Sequence, residues 1–486
     1  MPLQNSEHRK ILLLLFLLLA AATNRFLLLG HVPFDKYKSI MLIRRTLQPD
    51  VKHVTGTEDS VAFFQQRNIV ETEPFALQPL VSKLQSRRST KNSTAIQPNR
   101  HPQVIQPRAY PSKFSLNTFP CNLEPPNVEW WKVGKESSSP IEEGFFFLKT
   151  HKTGSSTGAG IHLRIARNVA QQRLLSGNHT IIRSNNTTEK QHHVPMCISR
   201  FDHGTAQNMN YGSRNRNKSF LWTILRDPTE RAISQFFHFE VSRRSIEPTD
   251  ENFRDFLLSK RARTNRCYLR MLSLTNETTT SPTQKNQTKY TRVHRQVQEI
   301  LDGYDFIAIT ERMDESAVAL QLLLGLSTSD ILYLDAKSST PTDKSTGFDA
   351  GGYKGKCTRL QPKIITKGMR QFLRESPEWR ARVEWDKQLY RAANQSLDMT
   401  INALGKQKFQ QELERFRHTR AIAQHQCVPI TKFPCSEARN GKSPLRHNQT
   451  DCLWKDSGCG SDCLDGIAES ITFGDKKLGA TETAAK

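Results

Sequence analysis

The stretch EEGFFFLKTHKTGSSTGAGIHLRIARN, residues 142–168, allows few backbone plans. Three consecutive phenylalanines sit in an apolar run at 145–149 that reads as a buried strand. A loop of Lys, Thr, His, Gly and Ser interrupts it, and helix-forming sequence follows from near Ser155. A strand that turns sharply into a helix aims the first backbone N–H groups of that helix at one place, and such a junction binds an anion. Further strand-like runs are FLWTIL (220–225), YDFIAIT (304–310) and DILYL (330–334), separated by helix-like segments. That alternation predicts an α/β fold, a parallel sheet with crossover helices.

In LKTHKTGSST the strand is expected to end at Lys149, with the amides of Gly154, Ser155, Ser156 and Thr157 converging beyond it. Gly154 permits close approach, Lys152 adds a fixed positive charge, and Lys149 can assist. The hydroxyls of Thr153, Ser155, Ser156 and Thr157 add donors. The order differs from the nucleoside triphosphate P-loop, in which an early glycine opens the loop and the lysine follows the last one. Here Lys152 precedes Gly154, which argues against an ATP or GTP site. Alone, the segment also suits an ordinary strand–turn–helix.

The second element is FLWTILRDPTERAISQFFHFEVSR, residues 220–243. Asp227 reads as a helix N-cap, Pro228 as the first helical residue, and Glu230 as the partner in a capping box. Ile233, Phe236, Phe237 and Val241 share one apolar face, expected to pack on the sheet. Arg226 at the strand end and Ser234 in the helix can serve one ligand at the carboxyl edge of the sheet, where open α/β folds bind. The bland alternative pairs Arg226 with a surface carboxylate and leaves Ser234 exposed.

A formal charge of +23 and a pI near 9.7 call for an anionic partner. Residues 11–22, ILLLLFLLLAAA, are short for a spanning helix, but the segment 11–30 reads as a signal-anchor with a cytoplasmic tail at 1–10. A cleaved signal peptide and a buried helix are the alternatives. Nine Asn-x-Ser/Thr acceptors agree with a lumenal address, which argues against nucleic acid. So do nine cysteines, five of them (Cys427, Cys435, Cys452, Cys459, Cys463) in one C-terminal stretch that reads as disulfide-stapled, with zinc as the alternative. Residues 31–140 read as a largely irregular stem, 141–425 as the globular domain and 426–486 as the Cys-rich tail. The polar insertion 276–289 reads as a surface loop, and 378–425 as helix.

FLKTHKTGSST followed by TILRDPTERAISQFFHF resembles the 5′- and 3′-phosphate-binding motifs of Golgi carbohydrate sulfotransferases, and is most similar to those of the galactose-3-O-sulfotransferases. The likeness continues in CISRFDH (197–203), CYLRMLSL (267–274) and the segment 304–339, and covers residues 143–430. Gly158-Ala159-Gly160 departs from the bulkier residues usual in that family, and the tail has no counterpart there.

The resemblance implies a P-loop-like sulfotransferase fold and a Golgi type II membrane protein. It also implies transfer of sulfuryl from 3′-phosphoadenosine 5′-phosphosulfate (PAPS) to a carbohydrate or glycolipid acceptor, without a metal. In that frame Lys152 steadies the leaving oxygen, and His151, in preference to His203, is the base. Thr153 to Thr157 hold the 5′-phosphate, and Arg226 and Ser234 the 3′-phosphate. The Gly- and Lys-rich loop GGYKGKCTR (351–359) suits closure over the nucleotide or, equally, an idle exposed loop. Two rival readings are a non-catalytic glycan-binding protein on the same fold and a lumenal P-loop kinase.

Overall fold

Three adjacent phenylalanines are buried together when both faces of their strand are covered. In the computed structural model of the chain they form strand β1 (Gly144–Leu148), with Phe145, Phe146 and Phe147 all buried. The structure describes residues 104–112, 121–122, 142–176, 196–197, 199–275, 289–335, 347–350, 355–468 and 470, all within one unit, Ile96–Lys486. The expected tail, membrane segment and most of the stem lie outside the described residues, as do 276–288 and 351–354. Among the described residues no helix is long and apolar enough to cross a membrane.

From β1 the chain enters α1 (Ser155–Leu175) and returns as β2 (Ser199–Asp202), then β3 (Ser219–Leu225). Four helices follow: α2 (Pro228–Phe236), α3 (Asp250–Leu258), α4 (Cys267–Leu272) and α5 (Lys289–Gly303). After β4 (Phe306–Ile309) come α6 (Met313–Leu324), the long helices α7 (Pro377–Leu404) and α8 (Lys406–Cys427), and a hairpin, β5 (Cys452–Trp454) with β6 (Ser457–Cys459). The central sheet is parallel throughout, in the order β2-β1-β3-β4. The α/β expectation is met. Helix α1 is keyed to the sheet by His162, whose ring stacks on Phe145 at 4.3 Å and accepts from Trp222 Nε1 at 3.1 Å.

Three expectations are corrected. DILYL is not a strand: its first residues belong to a short helix, Thr328–Ile331. Ser327 and Asp330 cap that turn reciprocally, and Asp330 also accepts from Asn168 Nδ2 of α1 at 3.0 Å, so the polar anchors outweigh the apolar pattern. The apolar face of α2 packs away from the sheet. Ile233, Phe236 and Phe237 join Phe253, Phe256, Met369 and Trp379 in a separate core. The helix then widens into π geometry over Phe237–Ser242. Finally, of the nine Asn-x-Ser/Thr triplets read as glycan acceptors, that of Asn394 lies on α7 with its side chain accepting from Arg312 at 3.0 Å, whereas those of Asn217 and Asn448 are exposed.

Residues 104–112 are irregular yet anchored: the Tyr110 N–H donates to Thr400 Oγ1 at 2.9 Å, and its ring meets Phe306 at 5.4 Å. The five C-terminal cysteines are all in disulfides: Cys427–Cys463, Cys452–Cys459, and Cys435 with Cys357 from 78 residues upstream. That pairing fits the disulfide-stapled reading of the segment. The hairpin lies directly on α1, where a Cβ on Gly160 would come within 2.8 Å of the Gly458 nitrogen. The small residues at 158–160 make room for Phe147 below and the hairpin above.

Candidate functional site

β1 connects to β2 on one side, while β3 connects through α2–α5 to β4 on the other. The loops leaving β1 and β3 therefore diverge, and a crevice forms between adjacent strands at their carboxyl ends. Both sequence motifs occupy these two loops.

The β1 loop is tied down from beneath. Thr150 donates its hydroxyl to the Ile224 carbonyl at 2.6 Å, and the Thr153 hydroxyl lies 2.6 Å from that of Thr150. The Thr310 hydroxyl bridges the carbonyls of Thr153 and Leu225, at 2.7 and 2.9 Å, and so joins the two loops. Thr153 thus turns its side chain inward. Lys152 and Gly154 are left-handed, with φ of 63° and 70°. A Cβ on Gly154 would also stand 3.1 Å from Met313 Cε. Helix α1 starts at Ser155, without a side-chain cap and without an acidic residue in its first turn. Among the described residues, nothing accepts from the N–H groups of Ser155, Ser156 or Thr157. A helix start left open in this way, with Lys152 alongside, is a seat for an anion. Ser155 is buried, whereas Ser156 and Thr157 line a small cavity shared with Gly458 and Ser461 of the C-terminal segment. Lys149 is 4 % exposed, and its ammonium lies 5.9 Å from the Phe201 ring centre.

The second seat is at Arg226. The Tyr268 hydroxyl donates to the Arg226 carbonyl at 2.6 Å and accepts its N–H at 3.1 Å, which fixes the main chain. The guanidinium meets Glu230 at 3.4 Å and Glu311 at 3.8 Å, and its buried Nε has no hydrogen-bond partner. Asp227 caps α2 through the Thr229 and Glu230 N–H groups, at 2.8 and 3.1 Å. The expected capping box is only half formed, because the Asp227 N–H donates to Glu311 at 3.0 Å and Glu230 turns to Arg226 instead. Ser234 is buried in the second turn of α2.

His151 and His203 are brought together from different loops, their rings stacked 4.5 Å apart and 2° from parallel. His203 Nδ1 lies 3.1 Å from the Lys149 carbonyl. A carbonyl only accepts, so Nδ1 carries the proton and the neutral ring keeps a lone pair on Nε2. Burial, and then the charges of Arg263, Arg231, Lys149 and Lys152, push His151 below the usual histidine pKa, so it stays neutral.

Sequence reasoning missed two cations. Arg231, fully buried in α2, stacks 5.4 Å from the Tyr268 ring and leaves its Nε without a hydrogen bond. Its place three residues before Ser234 was a signal. Lys363 had none, since it arrives from 137 positions beyond Arg226. Burial and the Arg226 charge push its ammonium down to about 8.

Two anion seats beside a crevice and a histidine pair suit a ligand with two separated anionic groups. The buried Nε of Arg226 and the open start of α1 are what such a ligand would satisfy. Compared with protein-family models, residues 103–440 match the galactose-3-O-sulfotransferase family, more than half of the chain. No curated protein matches the chain.

Proposed function

Because the chain belongs to the galactose-3-O-sulfotransferase family, we propose that it transfers a sulfuryl group from PAPS to a galactose hydroxyl on a glycan or glycolipid. The observation that carries this reading is the pair of cationic seats on the two loops that bracket the crevice between β1 and β3. The start of α1 with Lys152 takes the 5′-phosphosulfate; Arg226, with Lys363 near it and Ser234 in the helix that follows, takes the 3′-phosphate.

In this reading the acceptor oxygen attacks sulfur as the bond from sulfur to the bridging oxygen breaks. The electron pair leaves on that oxygen, where Lys152 offsets the charge. The hydroxyl proton passes to histidine, and the geometry favours His203 over His151. His203 is exposed and has its tautomer set by the Lys149 carbonyl, whereas the cations around His151 resist a further positive charge. The disulfides support a lumenal address. The catalytic domain would then face the Golgi lumen, behind the anchor at 11–30.

The test is thermal stability with 3′,5′-diphosphoadenosine and, separately, with ATP and magnesium. The diphosphate is expected to raise the melting temperature and ATP to leave it unchanged; the opposite pattern would support a kinase, and no shift with either a non-catalytic protein. Transfer of labelled sulfate to a β-galactoside completes it. Lys152→Gly suits the left-handed backbone at that position and removes the charge. We expect a folded protein with transfer reduced at least a hundredfold, and undiminished transfer would remove Lys152 from the chemistry.

A further inference from the structure

A second cleft, of about 410 Å³, opens beside the loop between α3 and α4. It falls within the usual range for small-molecule sites, about 300–1,000 Å³. Arg266 and Arg270 line one side, Gln296 of α5 the floor, and Arg382 and Trp385 of α7 the other side. Arg382 is held by Glu378 at 3.0 Å. The side chains of Arg266 and Arg270 make no hydrogen bond or ion pair with any described residue. The Trp385 indole is met edge-on at 5.7 Å by Tyr290, itself 48 % exposed.

Glu378 lines the cleft too and is taken up by Arg382, which leaves Arg266 and Arg270 without counter-ions beside the aromatic wall, and that pairing has a defined complement. An indole packs against the C–H face of a pyranose, and a guanidinium pairs bidentately with a carboxylate or sulfate. A bare anion would leave the aromatic wall unused, and a neutral sugar would leave the arginines unused.

The cleft is tied to the transfer site through shared supports. Asp386, next to Trp385, accepts from the Cys267 and Tyr268 N–H groups at 2.7 and 3.0 Å, and the Tyr268 hydroxyl grips Arg226. Arg263, three residues before Arg266, is near enough to His151 to act on its charge state. Arg263 and Arg266 both hold left-handed backbone, φ 46° and 50°, a strained arrangement of the kind found at binding loops.

We propose that this cleft is an acceptor subsite for an acidic sugar, a carboxylated or sulfated monosaccharide linked to the galactose that receives the sulfuryl group. The proposal rests on the sulfotransferase reading above.

The test is calorimetric titration of the full-length protein with a β-galactoside carrying glucuronic acid, with its glucose counterpart, and with inorganic sulfate. The acidic disaccharide is expected to bind at least tenfold more tightly than the neutral one, and sulfate more weakly than either. The double variant Arg266→Ala/Arg270→Ala, checked for an unchanged melting temperature, is expected to lose that preference. In transfer assays its KM should rise at least tenfold for the acidic acceptor and stay level for the neutral one. Equal affinity for the two disaccharides, a preference that survives the double variant, or sulfate binding as tightly as the acidic sugar would each overturn the proposal. Titration with 3′,5′-diphosphoadenosine on the same sample separates the two readings. Diphosphate binding without an acidic preference defeats only the cleft, whereas an acidic preference without diphosphate binding removes its role as an acceptor subsite and defeats the donor reading too.

Discussion

Two like charges side by side in a half-buried place repel, and a bound anion between them would relieve that repulsion. Lys363 and Arg226 are such a pair. Lys363 is brought there by an extended segment fixed at both ends: the Gln361 N–H donates to Ser242 Oγ at 2.9 Å, and Thr366 bonds to Asp250. Burial is the main cause of its lowered pKa and Arg226 the second, with Glu230 opposing both. A bound phosphate would favour the charged ammonium. Between about pH 7, where the ligand's phosphates are dianionic, and a free-protein pKa of about 8, Lys363 is already protonated, so affinity for 3′,5′-diphosphoadenosine should be nearly level there. Above it, binding must take up a proton, and affinity should fall as pH rises. A charge-assisted hydrogen bond contributes about 1.5–3 kcal/mol, so Lys363→Ala is expected to weaken binding at pH 7 by about tenfold or more. The same variant should lack the alkaline fall, and calorimetry across pH 6–9.5 reads both; an alkaline fall that persists in it would assign the titration elsewhere.

At the scale of elements, α1 is a helix with two tasks, offering its N-terminus to an anion and its middle to the C-terminal hairpin. Gly160 serves the second. In most helix interiors Gly→Ala gains about 1 kcal/mol from propensity alone. Here the new methyl would sit 2.8 Å from the Gly458 nitrogen and 3.2 Å from its Cα, both backbone atoms that cannot rotate away. Overpacking of this sort costs about 1–3 kcal/mol, so Gly160→Ala should lower the melting temperature, and Gly160→Val should lower it further. A rise with Gly160→Ala would mean that the hairpin yields easily. The sequence showed Gly160 only as a departure from a familiar pattern, because its reason lies almost 300 residues away. What was legible was local. The start of α1 at Ser155 was legible, since strand pattern, glycine and hydroxyl residues all agree there, but the Thr153 hydroxyl, expected to face the anion, turns inward to Thr150. DILYL misled because an apolar run does not declare its backbone, and the deciding contacts of Asp330 come from Ser327 and from Asn168 on α1. The destination of the α2 face was hidden for the same reason: Phe253, Met369 and Trp379 gather from three later segments.

At the scale of the whole molecule, the C-terminal segment is bound into the domain rather than appended to it. Cys427–Cys463 ties it to α8, Cys357–Cys435 ties it to the stretch leading to Lys363, and a buried ion-pair group ties it to α1. In that group Arg164, whose side chain is 2 % exposed, donates to Asp465 at 2.6 Å and to the carbonyls of Ser329 and Ser461 at 2.6 and 3.1 Å; Arg167 bonds to the same carboxylate. Removing one partner of a buried pair strands the other's charge, which costs about 3–5 kcal/mol, while Asp465 at 36 % exposure places the loss near the lower figure. Asp465→Ala should therefore lower stability by about 3 kcal/mol. Affinity for 3′,5′-diphosphoadenosine discriminates between two roles for the segment. The start of α1 has its own restraints in Thr150, Thr153 and Thr310, which tie the cradle to β3 and β4 independently of Arg164. If those suffice, the dissociation constant should change less than threefold while the melting temperature falls. If affinity falls in step with stability, the C-terminal segment sets the angle at which α1 presents its N-terminus, and the cradle extends beyond the matched residues 103–440. The restraints on the threonine side predict the first outcome.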